Sequence, residues 1–291
     1  MRLDRMHWLR KIATLDPETD YEEIYRIDTM YEFPWDLNQS LGLALYRTYA
    51  VPSIGGLLAR TGEFTGRTQK RYDDTGLILA AIGENGLVSA PGKAAIRRMN
   101  QMHGHYGIPN DDLRYVLTTF VTVPIRWLDE YGYRALTDAE KTASANYYRR
   151  LGQLMNIKDI PATWQEFGEA MDAYERTHFG YDEGAVAVSE ATLALMATFP
   201  PNDKAPRRAV RRSALALMDE PLLTAFGYRP VTRLEQLVYQ GAIKLRARAL
   251  RHAPARSEVQ HFEDLPQVRS YPDGYRIEEL GTFPGDGERT G

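Results

Sequence analysis

The chain has 291 residues, 43% of them hydrophobic, which is enough apolar side chain for one large domain or two small ones. A formal net charge of -3 gives no signature of nucleic-acid binding. There is no cysteine, so disulfides, thiolate zinc sites, iron–sulfur clusters and a cysteine nucleophile are excluded, and any metal is left to His, Asp, Glu, Lys, Tyr or Met.

The N-terminal stretch "MRLDRMHWLRKIATLDP" lacks the apolar run of a signal peptide or membrane span, so the expected location is cytoplasmic, with no spanning segment. That stretch reads as a helix docked on its own domain, with a short interfacial helix as the alternative. "DPETDYEEIYRI" opens an early helix. Residues 38–50 form an apolar helix that Pro52 ends. "TGEFTGR" reads as a loop, and "KRYDDTGLILAAIG" as a buried helix after it. In "SAPGKAAIRRMNQMHGHY", Ser89 caps the helix, Pro91 lies in the first turn and Gly107 is placed to stop it. "NDDLRYVLTTFVTVPIRWLDEYG" begins with Asn110 as a cap. It is apolar almost all round from Leu113 to Val123, as a central helix would be, and Pro124 should kink or end it.

"TDAE" from Thr137 and "TWQE" from Thr163 have capping-box spacing and open helices of about 17 and 13 residues. Further helices are expected near 185–198, 205–219 and 231–251. No stretch alternates with period two, and neither a repeat nor an internal linker is visible. The prediction is an all-α, single multi-helix domain over 1–252, followed by an irregular tail over 253–291 that is draped or partly disordered. The oligomeric state is not legible.

The chemistry concentrates in "RMNQMHGHYG", residues 97–106, which holds two of only six histidines. His103 and His105 point about 200° apart on a helix, so one faces inward and the other does not. His103 continues the stripe of Ala95, Ile96, Met99 and Met102, whereas His105 falls off it. An inward histidine on such a stripe is either a hydrogen-bonded core residue or a ligand, and a buried neutral imidazole is what haem iron takes as its proximal ligand.

Two pairs have the Glu-x-x-His spacing of di-iron bundles: Glu175 with His178, and Glu258 with His261 in the tail. They leave a di-iron oxidase open as an alternative. The basic run "KAPRRAVRR", Lys204 to Arg212, is a solvated helix face or a patch for an anionic membrane or acidic partner, so peripheral membrane contact stays open.

"TGEFTGRTQKRYDDTGLIL", "AIRRMNQMHGHYGIPNDDLRYVLTTFVTVPIRWLDEYGYRALTDAEK" and "YYRRLGQLMNIKDIP" together resemble the MpaB oxygenase family, which is related to the latex-clearing proteins or rubber oxygenases. The carrying series is R-x-x-x-T, then "MH" in a basic helix, then "NDD-L-Y", a Trp-acid-Tyr stretch and "LT-x-x-E". The resemblance implies a globin-like helical core enclosing haem b, with His103 as proximal iron ligand. It puts the family's arginine and threonine on Arg71 and Thr75, where they would contact a haem propionate or bound oxygen. Scaffold is the alternative for this pair, an ordinary helix salt bridge and a back-bonded threonine.

Two departures stand out. Where latex-clearing proteins carry a lysine just before that threonine, this chain has Asp74, which implies an open or water-bound distal position. Their upstream glutamate has no counterpart at matched spacing, and Glu63 is the nearest carboxylate to serve as catalytic base. The implied activity is haem b-dependent, dioxygen-driven cleavage of a carbon–carbon double bond in a small hydrophobic, isoprenoid-like substrate, held in an apolar pocket lined from the 111–123 helix. A non-catalytic haem or hydrophobic-ligand binding protein is the second alternative.

Overall fold

The computed structural model describes residues 3–281. α1 (His7–Ile12) is a short docked helix: Ile12 is buried and the Trp8 indole N–H donates to the carbonyl of Arg256 at 2.9 Å. α2 (Tyr21–Ile27) runs on into one turn of π-helix over Asp28–Glu32. α3 (Pro34–Tyr49) and α4 (Pro52–Arg60) both start with proline in the first turn, where its missing N–H costs nothing. α3 thus begins four residues earlier than its apolar run suggests.

"TGEFTGR" is not all loop. It holds the single-turn α5 (Glu63–Gly66), entered through Gly62 at φ 72°, a left-handed conformation that glycine adopts without strain. α6 (Thr68–Asn85) and α7 (Ala90–His105) pack side by side, and the Ser89 hydroxyl caps α7 by accepting from the Gly92 N–H at 3.0 Å.

α8 (Asn110–Tyr131) is the central element, buried without a break from Leu117 to Ile125 and packed on α3. Large side chains that leave water this completely each contribute about 1.5–3 kcal/mol, which explains why the helix continues through Pro124 rather than ending there. Asn110 is not the cap. It is the first helical residue, after Pro109, and its side-chain oxygen instead accepts from the Lys158 N–H at 2.8 Å, pinning a distant turn. α9 (Asp138–Leu154) opens with a full capping box between Thr137 and Glu140, and Thr163 caps α10 (Trp164–His178). α11 (Glu183–Met196) packs on α4, α12 (Arg207–Leu215) on α11, and α13 (Glu220–Ala225) joins the same apolar cluster. α14 (Arg233–Leu250) lies against α8 and α12.

The protein is an all-α single domain. Among the described residues there is no strand, only an isolated bridge between Leu3 and Ala255, and no helix is long and apolar enough to cross a membrane. The tail is irregular, as expected, but up to residue 281 it is packed rather than loose, while 282–291 lie outside the described residues. Phe262, Val268, Tyr271, Tyr275 and Ile277 pack against the main core and Leu280 is fully buried within it. The reason is specific contacts with α6 and α7 that composition does not reveal. Gly76 leaves the space that the Phe262 ring fills, since a Cβ there would come within 1.9 Å of it. The Asp73 carboxylate accepts from the N–H groups of Arg269 and Ser270 at 3.1 and 2.8 Å and from the Ser270 hydroxyl at 2.5 Å. Arg98 donates to the carbonyl of Leu280 at 2.5 Å, and Gly281 sits directly on the Met102 sulfur.

Candidate active site

α7 ends in the two histidines, and the structure separates them as the helical period requires. His105 is exposed, with its ring edge-on to Tyr106. His103 turns inward. Its Nδ1 is buried and, among the described residues, has no hydrogen-bond partner, although the residue as a whole keeps a half-exposed edge. Burial, and secondarily the nearby Arg71 guanidinium, push its pKa down to about 4, so the imidazole is neutral at physiological pH. A buried polar atom left without a partner typically costs about 1–3 kcal/mol. A side chain held in that condition is therefore kept at a cost to stability.

Arg71 and Thr75 lie one turn apart on α6, on the side that faces α7. Arg71 donates to the Thr75 hydroxyl, which in turn donates back to the Arg71 carbonyl at 2.8 Å. The back-bonded threonine is thus real, but the helix salt bridge is not: among the described residues no carboxylate forms an ion pair with Arg71. Its guanidinium instead lies over the Phe64 ring at 5.1 Å and offsets part of the burial-driven rise of the Tyr49 pKa, which still reaches about 12. His103, Arg71, Thr75, Tyr49 and Phe64 therefore form one neighbourhood drawn from α3, α5, α6 and α7. Tyr49 and Phe64 went unnoticed in the sequence because each reads there as an ordinary apolar-face aromatic.

Glu63 does not join this group by any contact. Its carboxylate is held by Arg67 in an i, i+4 pair at 2.6 and 3.0 Å. Asp74 is buried and engaged twice, accepting from Lys70 at 2.7 Å and from the Tyr271 hydroxyl. Lys70 also reaches the Gly281 carbonyl at 3.4 Å. The residue at the family's lysine position is thus a latch between α6 and the tail.

The Glu-x-x-His pairs are committed elsewhere. Glu175 is held by Arg47 and by the Tyr115 hydroxyl, while His178 stacks on Tyr174 at 3.8 Å near the surface. His261 pairs with Glu84 at 2.8 Å, and Glu258 is exposed. Among the described residues no three His, Asp or Glu side chains gather as a metal site would require.

The 111–123 stretch of α8 does line open space, but not space that borders His103. A void of about 20 Å³ lies against Phe120, Pro124 and Asp28, and a cleft of about 400 Å³ between α8 and α10 is lined by Arg114, Tyr115, Thr118 and Tyr174. The second has a mixed polar and apolar lining and opens to solvent. The α6–α7 face is instead covered by the tail.

What the fold and the site define is an all-helical domain that keeps one uncharged imidazole beneath its surface, next to an arginine, neither of them paired with a carboxylate among the described residues. The chain belongs to the family of ER-bound oxygenase mpaB/B' and rubber oxygenase catalytic domains, whose sequence profile matches residues 39–248. It is 33% identical over 132 residues to ER-bound oxygenase mpaB of Penicillium brevicompactum, covering 43% of this chain and 34% of that protein. It is 31% identical over 147 residues to ER-bound oxygenase mpaB of Penicillium roqueforti, covering 48% of this chain and 49% of that protein. The chain therefore spans between a third and a half of the length of these relatives.

Proposed function

We propose that this protein is a haem b-dependent oxygenase that uses dioxygen to cleave a carbon–carbon double bond in a hydrophobic, isoprenoid-like substrate. The observation that carries the reading is the His103 imidazole, neutral and without a protein partner at its buried nitrogen. An axial ligand must offer an unprotonated ring nitrogen, and a structural core histidine would already have spent it. The donor set fits the group: His103 would hold the iron, and Arg71, which has no carboxylate partner among the described residues, would meet a propionate. When bound, haem supplies the dioxygen chemistry, which is the cofactor's own.

The chain's share is then positional. Arg71 is the donor of this helical turn; Thr75, whose hydroxyl gives its proton to the Arg71 carbonyl and accepts from the guanidinium, holds that donor in place for a polar group delivered there. Phe64 and Tyr49 give the same neighbourhood an apolar wall suited to a hydrocarbon. The tail excludes water from the α6–α7 face. Glu63 is a poor base in this arrangement, because Arg67 stabilises its carboxylate. The committed partners of Glu175 and His261 weigh against a di-iron oxidase. The relatives are named as ER-bound enzymes; for this chain, residence in the cytoplasm is part of the proposal and is tested by cell fractionation.

An absorption spectrum of the purified protein tests the core of the reading. A Soret band that shifts with dithionite and carbon monoxide is the expected result, and a colourless protein after haem reconstitution overturns it. Oxygen consumption with an isoprenoid alkene then separates an oxygenase from a haem-binding protein without turnover.

A further inference from the structure

We propose that α14, together with α12, is a docking face for an anionic lipid surface. The inference does not depend on the reading of His103. α14 is apolar on two sides. Ile243, Ala247 and Leu250 face the core. On the opposite side Leu234, Leu237, Val238 and Leu245 are 71%, 70%, 58% and 65% exposed. At a helical period these four fall within about 100° of arc and run most of the length of the helix. The strongest aliphatic exposure on the described surface is thus collected on one ridge. Trp35 extends its edge: it is partly exposed and carries the Arg246 guanidinium over its ring at 3.7 Å. An amphipathic tryptophan at such a margin is suited to the headgroup level of a bilayer.

The charge around the ridge is mainly basic, with Glu130 of α8 approaching Lys244 at 3.3 Å. α14 has a single acid, Glu235, which is tied to Arg212 and to the cap residue Thr232. Arg233 and Arg248 are exposed on its flank, beside Lys244. The neighbouring α12 has no acid at all and exposes Arg207 and Arg208. In a chain of net charge -3 this edge is a local reversal. A leucine ridge rimmed by arginine is the pattern of a helix that lies in the plane of an anionic interface, where each nearby base adds attraction to the surface.

A second copy of the chain fits less well. Four aliphatic side chains present a few hundred Å², short of the ~800 Å² per partner that a stable dimer buries. A two-fold contact through this face would also set arginine against arginine. A convex aliphatic ridge suits the acyl boundary better than it suits a shaped protein partner.

The test is flotation of the full chain with vesicles of phosphatidylcholine alone and of phosphatidylcholine with phosphatidylserine at about three to one. Retention on the phosphatidylserine vesicles, weakened by salt, is expected. Leu237→Ser/Leu245→Ser should weaken it by at least about tenfold. Arg207→Glu/Arg208→Glu should weaken it and flatten its salt dependence. Unchanged circular-dichroism melts would show that both variants fold, as substitutions at exposed positions should. No retention on either vesicle overturns the proposal. So does retention that the leucine changes leave intact, and so does a dimer in light scattering that those changes dissolve.

Discussion

Two buried polar groups in this protein are built on opposite logic. Where α3 meets α10, Arg47 donates to Glu175 at 2.7 Å and to Asp219 at 2.7 Å, and the Tyr115 hydroxyl adds a third bond to Glu175 at 3.0 Å. Its partners hold the Arg47 pKa above the ordinary value against the pull of burial, and burial pushes Tyr115 up. Where α7 meets α6, His103 has no such partner, and its pKa is pushed down to about 4. His103 keeps a partly exposed edge where Arg47 and Glu175 are buried, yet its Nδ1 atom is itself enclosed, so at that atom the difference is one of partners. A saturated cluster needs nothing from outside, whereas an unsaturated one is stable only because the rest of the fold offsets it, or because a ligand completes it.

The comparison is broken most easily at its open end. His103→Ala should abolish haem binding altogether while His105→Ala retains it, read as the Soret absorbance per protein after reconstitution. An unchanged spectrum in His103→Ala would return that residue to the scaffold. At the saturated end, Glu175→Ala leaves Arg47 buried without its bidentate partner. It should cost about 3–5 kcal/mol of stability in denaturant unfolding, with haem content per folded molecule unaltered.

Arg71→Ala and Thr75→Ala fall between. If Arg71, held by Thr75, is a preset donor for reacting groups, oxygen consumption per bound haem should drop by about 10²–10³, equivalent to ~2–4 kcal/mol in the barrier. If the pair is scaffold, stability and haem content fall and the rate per haem stays normal.

The smallest effect is in pH. In the haem-free protein His103 titrates near 4 when folded and near its ordinary 6.5 when unfolded. As pH falls through that window the unfolded state takes up the proton first. Stability should therefore decline from pH 6.5 to 4 by up to about 3 kcal/mol. In His103→Gln that part of the decline should be missing from a series of urea melts. The variant isolates the open site, because the substitution removes only the His103 imidazole.

Most of the helical plan was legible in the sequence because its signals are local. Ser89, Thr137 and Thr163 cap where their spacing to the next donor says they should, and α9 has the 17 residues its capping box and end imply. The inward turn of His103 followed from a 3.6-residue period alone. Asn110 does not cap and Pro124 does not end α8, because each is governed by something outside its own helix: a turn near Lys158 in the first case, and burial on all sides in the second.

The tail shows the limit most clearly. Residues 253–281 have the composition of a loose segment, and no period or cap in them announces a core role. Their order comes from a missing side chain at Gly76, from two aspartates on α6 and from a sulfur on α7, all about 160 or more positions away along the chain. The sequence by itself determined that the protein is all-helical and that one histidine near residue 103 faces inward, because helical periodicity and capping act over a few residues. Only the tertiary structure decided that among the described residues this imidazole goes unpartnered and the second apolar side of α14 stays exposed, and that Glu63 and Glu175 are spoken for, because those facts depend on which elements pack together.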